Sequence, residues 1–224
     1  MLEVIVTSVE DALAAQAGGA GRLEIVRALD QDGLTPEFDL VRAIVSAVRI
    51  PARVMLRERD AFDVADAAER HCLCERARAL AALPIDGLVL GFLRDGDVDV
   101  AVIEAIASAA SSTHVTFHRA FEHVRDQSAA LAALRPLSQI DTILISGGRM
   151  IDERVAALSA LHAEVAGRFT VLAGGGVDGP VLAALCARTP VQAFHVGRAA
   201  RVDGRIDRPV DVERVRELAG KVET

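Results

Sequence analysis

The chain alternates short apolar runs with longer helix-like segments from end to end, and this alternation constrains the fold more than any other feature. Such runs are typical of strands that are buried on both faces, and strands that alternate with helices favour a parallel sheet. We predict strands over residues 2–6, 22–26, 52–57, 87–93, 115–121, 142–145, 169–172 and 193–196. Eight such units in one chain predict an α/β fold, a single-domain TIM (β/α)8 barrel spanning residues 1–224.

Bulk composition narrows the classes of function. The 224 residues are 51% hydrophobic, which is enough to fill one core, and the net charge of -7 argues against binding nucleic acid through its phosphates. Three cysteines do not make a disulfide framework, which predicts a cytoplasmic location. Because no leader-like segment opens the chain and no apolar run approaches ~20 residues, we expect no membrane partner.

Turn residues support the same architecture. No G-x-G-x-x-G follows the first strand, which argues against an open dinucleotide-binding sheet. In the second loop, Thr35 and Pro36 are expected to cap and begin the next helix. Functional groups of such barrels lie at the carboxyl ends of the strands, so candidate residues are sought there.

Two acidic residues fall on inward-facing strand positions. Side chains alternate along a strand, which places Glu3 and Glu24 inside the barrel on neighbouring strands. An unpaired buried carboxylate costs several kcal/mol, so a compensating arginine is expected from Arg22, Arg53 or Arg57. The pair is then either a structural ion-pair network or a catalytic general base with a substrate-binding carboxylate.

Basic residues gather at the ends of strands three and five. His118 is inward-facing and is a candidate acid–base group or metal ligand, with a satisfied core histidine as the alternative. Arg57, Arg59 and Arg119 are candidates for holding a carboxylate or phosphate, unless they are solvated surface arginines.

Glycine-rich turns follow the last three strands. TIM barrels commonly bind phosphate after strands seven and eight, where glycine lets backbone N–H groups approach an anion, although such turns also serve tight geometry alone. The candidate anion-binding residues are Gly174, Gly175, Gly176, Gly197 and Arg198, extended by Ser146, Gly147 and Gly148 after strand six.

No metal site is predicted from the residues themselves. Cys72 and Cys74 are two residues apart in a predicted helix, so their side chains point about 200° apart and cannot chelate one ion. Neither His71 nor Cys186 improves this geometry.

Several stretches together resemble the CutC family of copper homeostasis proteins. They include Leu2-Glu3-Val4, Gly33-Leu34-Thr35-Pro36, Ile145-Ser146-Gly147-Gly148, Gly174-Gly175-Gly176-Val177, Phe194-His195 and, most specifically, the string Thr116-Phe117-His118-Arg119-Ala120-Phe121. The resemblance covers nearly the whole chain. It implies a TIM barrel, a cytoplasmic location, a homodimer or higher homo-oligomer, and copper homeostasis with Cu(I) as the ligand. His195, which belongs to one of these stretches, is added to the candidate anion-binding residues.

The chain departs from the family pattern at two places. The cysteines typical of strands one and two correspond here to Ile5 and Val26, which cannot ligate a metal, whereas Cu(I) prefers thiolate or thioether ligands. The loop after strand three reads Arg57-Glu58-Arg59-Asp60-Ala61-Phe62 in place of the family's usual Arg-Pro-Arg-Gly-Gly-Asp-Phe.

Two functions follow as hypotheses, with ligand sensing without turnover as a third. The first is copper handling, from the resemblance. The second is an isomerase or lyase acting on a small anionic or phosphorylated metabolite, in which Glu3 or Glu24 and His118 transfer protons. A Schiff-base aldolase is excluded, because the only lysine, Lys221, lies at the extreme C-terminus.

Overall fold

Eight parallel strands close into a barrel in the computed structural model, which describes residues 1–111 and 113–222. The barrel strands are β1 (Leu2–Val6), β2 (Arg22–Ile25), β3 (Ala52–Met55), β4 (Gly87–Leu90), β5 (His114–Phe117), β6 (Ile140–Ile145), β7 (Thr170–Ala173) and β8 (Ala193–Val196). Each strand pairs with the next along the chain, and β8 pairs with β1 to close the cylinder. The TIM-barrel prediction is confirmed.

An α-helix follows each strand and covers the outside of the barrel. The helices are α1 (Val9–Ala17), α2 (Phe38–Ala47), α3 (Ala67–Ala81), α4 (Val100–Ala109), α5 (Gln127–Leu134), α6 (Ile151–Val165), α7 (Gly179–Arg188) and α8 (Val212–Val222). Aspartate side chains cap five of them by accepting a backbone N–H of the first turn: Asp66, Asp99, Asp126, Asp178 and Asp211. The main core lies between this helical layer and the outward faces of the strands.

Several predicted boundaries were wrong. Strand β4 ends at Leu90, and residues after it form a small antiparallel hairpin pairing Leu93 with Val98 around Asp95 and Gly96, both with positive φ. Strand β5 ends at Phe117, because Arg119–His123 form a 3-10 helix. The third strand ends at Met55 rather than at residue 57. Helix α2 begins at Phe38 with Glu37 at its N-cap, so Thr35 does not cap it.

Thr35 instead joins the second and third strand ends. Its hydroxyl donates to the Arg57 carbonyl at 3.0 Å and accepts from the Arg57 N–H at 2.8 Å. Its own N–H also donates to the Arg57 carbonyl at 2.8 Å. The loop after β2 is thereby fixed against the segment that carries Arg57.

The amino-terminal end of the barrel is closed by a buried arginine. Arg53 donates to both oxygens of Asp141, at 2.7 and 2.8 Å, and to Asp86 at 2.8 Å. It also donates to the hydroxyl of Thr116 at 2.7 Å. Arg53 was one of the three arginines predicted as possible partners of Glu3 and Glu24, and it pairs with neither. The barrel is plugged at this end and open at the other.

Apolar layers fill the middle of the cylinder. Met55, Val26 and Val89 form one buried cluster with Ile5 packed against it, and Leu144, Leu172 and Ala193 form a second.

Within the described part of the chain, none of the helices has the length and apolar character needed to cross a bilayer.

Candidate functional site

A cavity of about 580 Å³ opens at the carboxyl ends of the barrel strands. Its floor is apolar, with Ile5, Val26 and Met55 on three neighbouring strands. Its wall is basic: Arg57, Arg119, Arg149, Arg154 and Arg198 line it, against only two acidic residues, Glu24 and Asp32. A cavity with this lining suits a small ligand that carries negative charge.

A buried cluster of four ionisable side chains lies at the strand seam where β8, β1 and β2 meet. Strand register places Glu3 beside His195 on one side and Arg22 on the other. The His195 Nδ1 atom lies 2.8 Å from Glu3 Oε1 and 3.4 Å from Glu24 Oε2, and Arg22 Nε donates to Glu3 Oε2. The predicted pairing of Arg22 with an inward carboxylate is confirmed.

The two carboxyl groups of this cluster have pKa values shifted in opposite directions. Burial opposes ionisation of Glu3, but the charges of Arg22 and His195 and their hydrogen bonds outweigh it and lower its pKa to about 2. For Glu24, burial dominates and Glu3 adds repulsion, which raises its pKa to about 7 despite attraction by His195. Burial lowers the pKa of His195, but the carboxylates of Glu24 and Glu3 outweigh it and raise that pKa. Glu3 is therefore a permanent anion, whereas Glu24 titrates near neutrality.

His118 is a neutral imidazole at the cavity wall. The Ala120 N–H donates to its Nδ1 at 3.2 Å, so the neutral ring carries its proton on Nε2. Burial first, and then the charge of Arg57, lower the pKa of His118 to about 3. The Nε2 atom has no hydrogen-bond partner among the described residues, although it is buried. Gly91 makes room for the ring, since a Cβ there would lie 2.5 Å from Nδ1.

Arg57 is fixed by backbone carbonyls of the loop after β2. Its Nη2 donates to Gln31 O at 2.6 Å and to Gly33 O at 3.0 Å, while its Nε donates to Gly33 O at 3.2 Å. Its ion pair is a 3.4 Å contact with the exposed Asp60. Burial lowers the pKa of this guanidinium, which nevertheless stays charged. Arg57 thus brings a buried positive charge to the site.

The turn after β6 already holds a carboxylate of the chain itself. Glu122 Oε1 accepts the Ser146 hydroxyl at 2.6 Å, the Ser146 N–H at 3.0 Å and the Gly147 N–H at 3.1 Å. Glu122 Oε2 accepts from Arg119 Nε at 3.0 Å, which orients that guanidinium at the cavity edge. Burial would raise the pKa of Glu122, but these hydrogen bonds lower it. The donors of Ser146 and Gly147 are therefore used within the protein, contrary to their predicted role in binding an external anion.

Most of the predicted residues converge on the cavity. Those that line it are Glu24, Arg57, His118, Arg119, Ser146, Gly148, Gly175, Gly176, His195, Gly197 and Arg198. Four predicted residues do not line it. Glu3 lies beneath Glu24 in the barrel, and Gly147 and Gly174 belong to the turns behind the wall. Arg59 points away, paired with Asp63 at 2.9 Å and Glu69 at 3.1 Å.

Sequence reasoning missed several residues of the site. Arg154 lies one turn into helix α6, and its guanidinium donates to the Gly174 carbonyl in the turn after β7. Because it is on a helix, a search of strand ends in the sequence does not find it. Glu122 and Arg149 were also overlooked, although both are within three residues of motifs that were singled out. Phe62, whose ring centroid is 5.5 Å from that of His118, belongs to the loop in which the chain departs from the family pattern.

The donor atoms at the cavity do not fit Cu(I). Among the described residues, the one group of three potential ligands is Glu3, Glu24 and His195, which offers two carboxylate oxygens and one nitrogen. Cu(I) prefers soft sulfur ligands, and the lining contributes a single thioether, Met55. Cys72 and Cys74 lie on α3 on the outside of the barrel.

Comparisons with known proteins agree on the family. The CutC family model matches residues 1–200. A CutC family protein from Xanthomonas axonopodis pv. citri is 36% identical over 221 residues, which cover 98% of this chain and 91% of the relative. One from Bacteroides thetaiotaomicron is 34% identical over 198 residues, which cover 86% of this chain and 78% of the relative.

Solved structures agree on the fold. The structure of a protein described as a copper homeostasis protein CutC, from Streptococcus agalactiae, has a TM-score of 0.81 at 24% identity, covering 92% of this chain and 99% of that one. The thiamine phosphate pyrophosphorylase of Pyrococcus furiosus has a TM-score of 0.64 at 18% identity, covering 99% and 95%. At these identities the likeness extends to the barrel fold alone.

Proposed function

The chain belongs to the CutC family, and from this premise and the chemistry of its barrel mouth we propose that it is an enzyme of the isomerase or lyase type that transfers protons on a small anionic metabolite. The observation that carries the proposal is the pairing of a carboxyl group that titrates near pH 7 with a neutral imidazole N–H in one basic cavity. Groups whose pKa values are driven apart by their surroundings are typical of acid–base active sites.

Glu24 is the proton acceptor in this proposal. It is 3% exposed and lines the cavity, and its Oε2 makes no hydrogen bond within the described residues, only the 3.4 Å contact with His195. A carboxyl group with a pKa of about 7 is partly ionised at neutral pH and is a much stronger base than an ordinary glutamate. These features suit the removal of a proton from a carbon atom next to a carbonyl group.

His118 is the hydrogen-bond donor to the oxygen on which negative charge develops. Its Nε2–H has no protein partner in the described residues and belongs to a residue that lines the cavity, but it is buried, so a substrate carbonyl oxygen reaches it only when the side chains around it shift. A neutral donor stabilises an enolate-like oxygen without protonating the substrate outright. Its orientation is fixed by the Ala120 N–H and by packing against Gly91.

The basic wall binds the anionic part of the substrate. Arg149 and Arg198 line the cavity and carry charge that Glu24 and Asp32 do not balance, and Arg119, which Glu122 orients, stands at its edge. Guanidinium groups hold carboxylate and phosphate oxygens through paired hydrogen bonds and thereby orient the reacting carbon relative to Glu24. This supports a small acid or phosphate ester as substrate.

The Arg22–Glu3–His195 group supports Glu24 from below. Glu3 stays ionised, pairs with Arg22 and favours the protonated form of His195, so the hydrogen-bonded cluster holds its groups in place around Glu24. The role predicted for Glu3 as a second catalytic group is therefore replaced in this proposal by an electrostatic one, because a carboxyl group with a pKa of about 2 is a poor base.

Hydrogen–deuterium exchange tests the proposal without knowledge of the full reaction. The protein is incubated in D₂O with dihydroxyacetone phosphate, pyruvate or 2-oxoglutarate, and loss of the C–H signal next to the carbonyl is followed by proton NMR. We expect exchange with at least one compound, at least 100-fold slower in Glu24→Gln and at least 10-fold slower in His118→Phe.

The matched control is Glu58→Gln, which makes the same change of carboxylate to amide at a residue paired with Arg76, away from the cavity lining. It should leave the exchange rate unchanged. If no compound exchanges faster with the wild-type protein than with Glu24→Gln, the proposed reaction is wrong.

A further inference from the structure

Arg154 is a buried guanidinium whose partners are all backbone carbonyls. It is 4% exposed, donates from Nη2 to Gly174 O at 2.8 Å and to Gly175 O, and donates from Nε to Gly148 O at 3.2 Å. It forms no ion pair with a carboxylate in the part of the chain that the structure describes. Carbonyls satisfy its hydrogen bonds, while the charges of Glu122 and Asp178 act on it only from a distance and burial still lowers its pKa.

These contacts also determine which way the turn after β7 faces. In a planar trans peptide, the C=O and the N–H that follows it point in opposite directions. Because Arg154 holds the carbonyls of Gly174 and Gly175, the N–H groups of Gly175 and Gly176 point away from it. Neither N–H has an acceptor among residues 1–111 and 113–222.

The turn is open on the cavity side. Both Gly175 and Gly176 line the cavity, with φ of +69° and +73°, a conformation that favours glycine. A Cβ built on Gly176 meets no atom within 4 Å, so a ligand can approach this backbone closely. Successive backbone N–H groups exposed in this way form an anion-binding concavity.

The neighbouring turn shows what such a site binds. After β6, the N–H groups of Ser146 and Gly147 hold the carboxylate of Glu122, at 3.0 and 3.1 Å. That turn is filled by the chain itself, whereas no carboxylate of the described residues accepts a hydrogen bond from the Gly175 or Gly176 N–H in the turn after β7. Arg198 also lines the cavity and forms no ion pair with the described residues, so the cavity wall that contains the open turn carries the positive charges of both Arg154 and Arg198.

We propose that the Gly175–Gly176 turn binds a phosphate-type oxyanion of the ligand, and that Arg154 is the positioning residue that holds the two N–H groups toward it. Two guanidinium groups that make no direct ion pair with the described residues match a phosphate dianion better than a carboxylate. The inference deepens the proposed function by naming the charged group of the substrate, and it rests on that function only for the rest of the ligand.

Amide chemical shifts test this directly. The ¹⁵N-labelled protein is titrated with inorganic phosphate, with glycerol 3-phosphate and with acetate, and each amide is followed by two-dimensional NMR. We expect phosphate and glycerol 3-phosphate to move the Gly175 and Gly176 amide protons downfield, with acetate binding at least 10-fold more weakly. Arg154→Gln should weaken phosphate binding at least 10-fold, and Arg154→Lys should restore part of it.

Arg168→Gln is the matched control. Arg168 is likewise held by backbone carbonyls, of Arg135, Leu137 and Ile140, but at the amino-terminal end of the barrel. It should lose stability without losing phosphate binding. Phosphate shifts centred elsewhere, or Arg154→Gln binding phosphate as the wild type does, would overturn the inference. Phosphate binding at this turn without deuterium exchange would contradict the proposed reaction but would support the proposed anion site.

Discussion

His195 Nδ1 lies 2.8 Å from Glu3 Oε1 and 3.4 Å from Glu24 Oε2, so one imidazole is shared between two buried carboxyl groups. The arrangement is asymmetric, because Arg22 pairs with Glu3 and leaves Glu24 without a guanidinium partner in the described residues. The pKa of Glu3 is therefore lowered by its partners, whereas burial raises the pKa of Glu24. One is a structural anion, and the other is available to a ligand.

Removal of Glu3 should destabilise the fold strongly. Glu3→Gln removes the negative charge that pairs with the buried Arg22 and faces His195, at a cost of about 3–5 kcal/mol. The free energy of unfolding from urea denaturation at pH 7 measures this. Arg205→Gln, which breaks an exposed pair with Asp207, should cost less than about 1 kcal/mol by comparison. Equal effects of the two substitutions would contradict the account of Glu3.

The same carboxyl group predicts how stability depends on acid. The folded pKa of Glu3 is lowered to about 2 from an ordinary value of 4.5, so its contribution is fully present above about pH 4.5. The contribution is lost as the pH falls from there toward about 2. The unfolding free energy of Glu3→Gln should therefore decline less between pH 5 and pH 3 than that of the wild type. A parallel decline would show that Glu3 is not the group responsible.

Glu24 should behave in the opposite way. Its folded pKa is raised to about 7 from 4.5, so the folded state binds its proton more tightly than the unfolded state does. Stability is then lost as the pH rises from about 4.5 to about 7. We expect Glu24→Gln to match the wild type at pH 5 and to exceed it at pH 8, by up to about 3 kcal/mol. Destabilisation by Glu24→Gln at pH 8 would instead support a purely structural ion-pair network.

His118 should remain neutral across the physiological range. Burial and the charge of Arg57 lower its pKa to about 3, and the Ala120 N–H fixes the proton on Nε2. The ¹⁵N shifts of its ring should show this tautomer and stay constant from pH 8 to pH 5. The exposed His114, which faces Asp141, serves as an internal comparison in the same spectrum. Titration of His118 near pH 6.5 would rule it out as a neutral donor.

Copper binding should depend on restoring sulfur. Ile5 and Val26 occupy the positions at which other CutC family members typically have cysteines. Both residues line the cavity, and Ile5 packs against the buried cluster that contains Val26. The wild-type protein at micromolar concentration should not compete with a Cu(I) chelator, whereas the double variant Ile5→Cys and Val26→Cys should. Strong competition by the wild type would restore copper as the ligand of this site.

The barrel and much of its mouth were predictable because both depend on local periodicity. A two-residue repeat turns Glu3, Glu24 and His118 inward, and closure of the sheet then places Glu24 and His118 in the lining of one cavity. Arg57 also falls at the mouth, although its strand ends two residues before it. The alternation of inward and outward residues could not predict which ion-pair partner each charged side chain has.

The failures have a common cause in side-chain reach. Arg53 was one option for compensating the inward glutamates, yet its guanidinium extends toward Asp86 and Asp141 at the opposite end. Arg59 lies two residues beyond Arg57 but turns outward to Glu69. Arg154 belongs to a helix and reaches two loops at once. The partners of long flexible side chains depend on which groups the tertiary structure brings within reach. The periodicity of strands and helices does not carry that information.

The most direct test of the central claim is the pH dependence of deuterium exchange into the metabolite that exchanges fastest. If Glu24 removes the proton, the rate should rise with pH and level off above a midpoint near its pKa of about 7, and Glu24→Gln should abolish this dependence together with the exchange. A rate that does not change between pH 5.5 and pH 8.5, or that survives Glu24→Gln, would contradict the claim that this buried carboxyl group carries the chemistry.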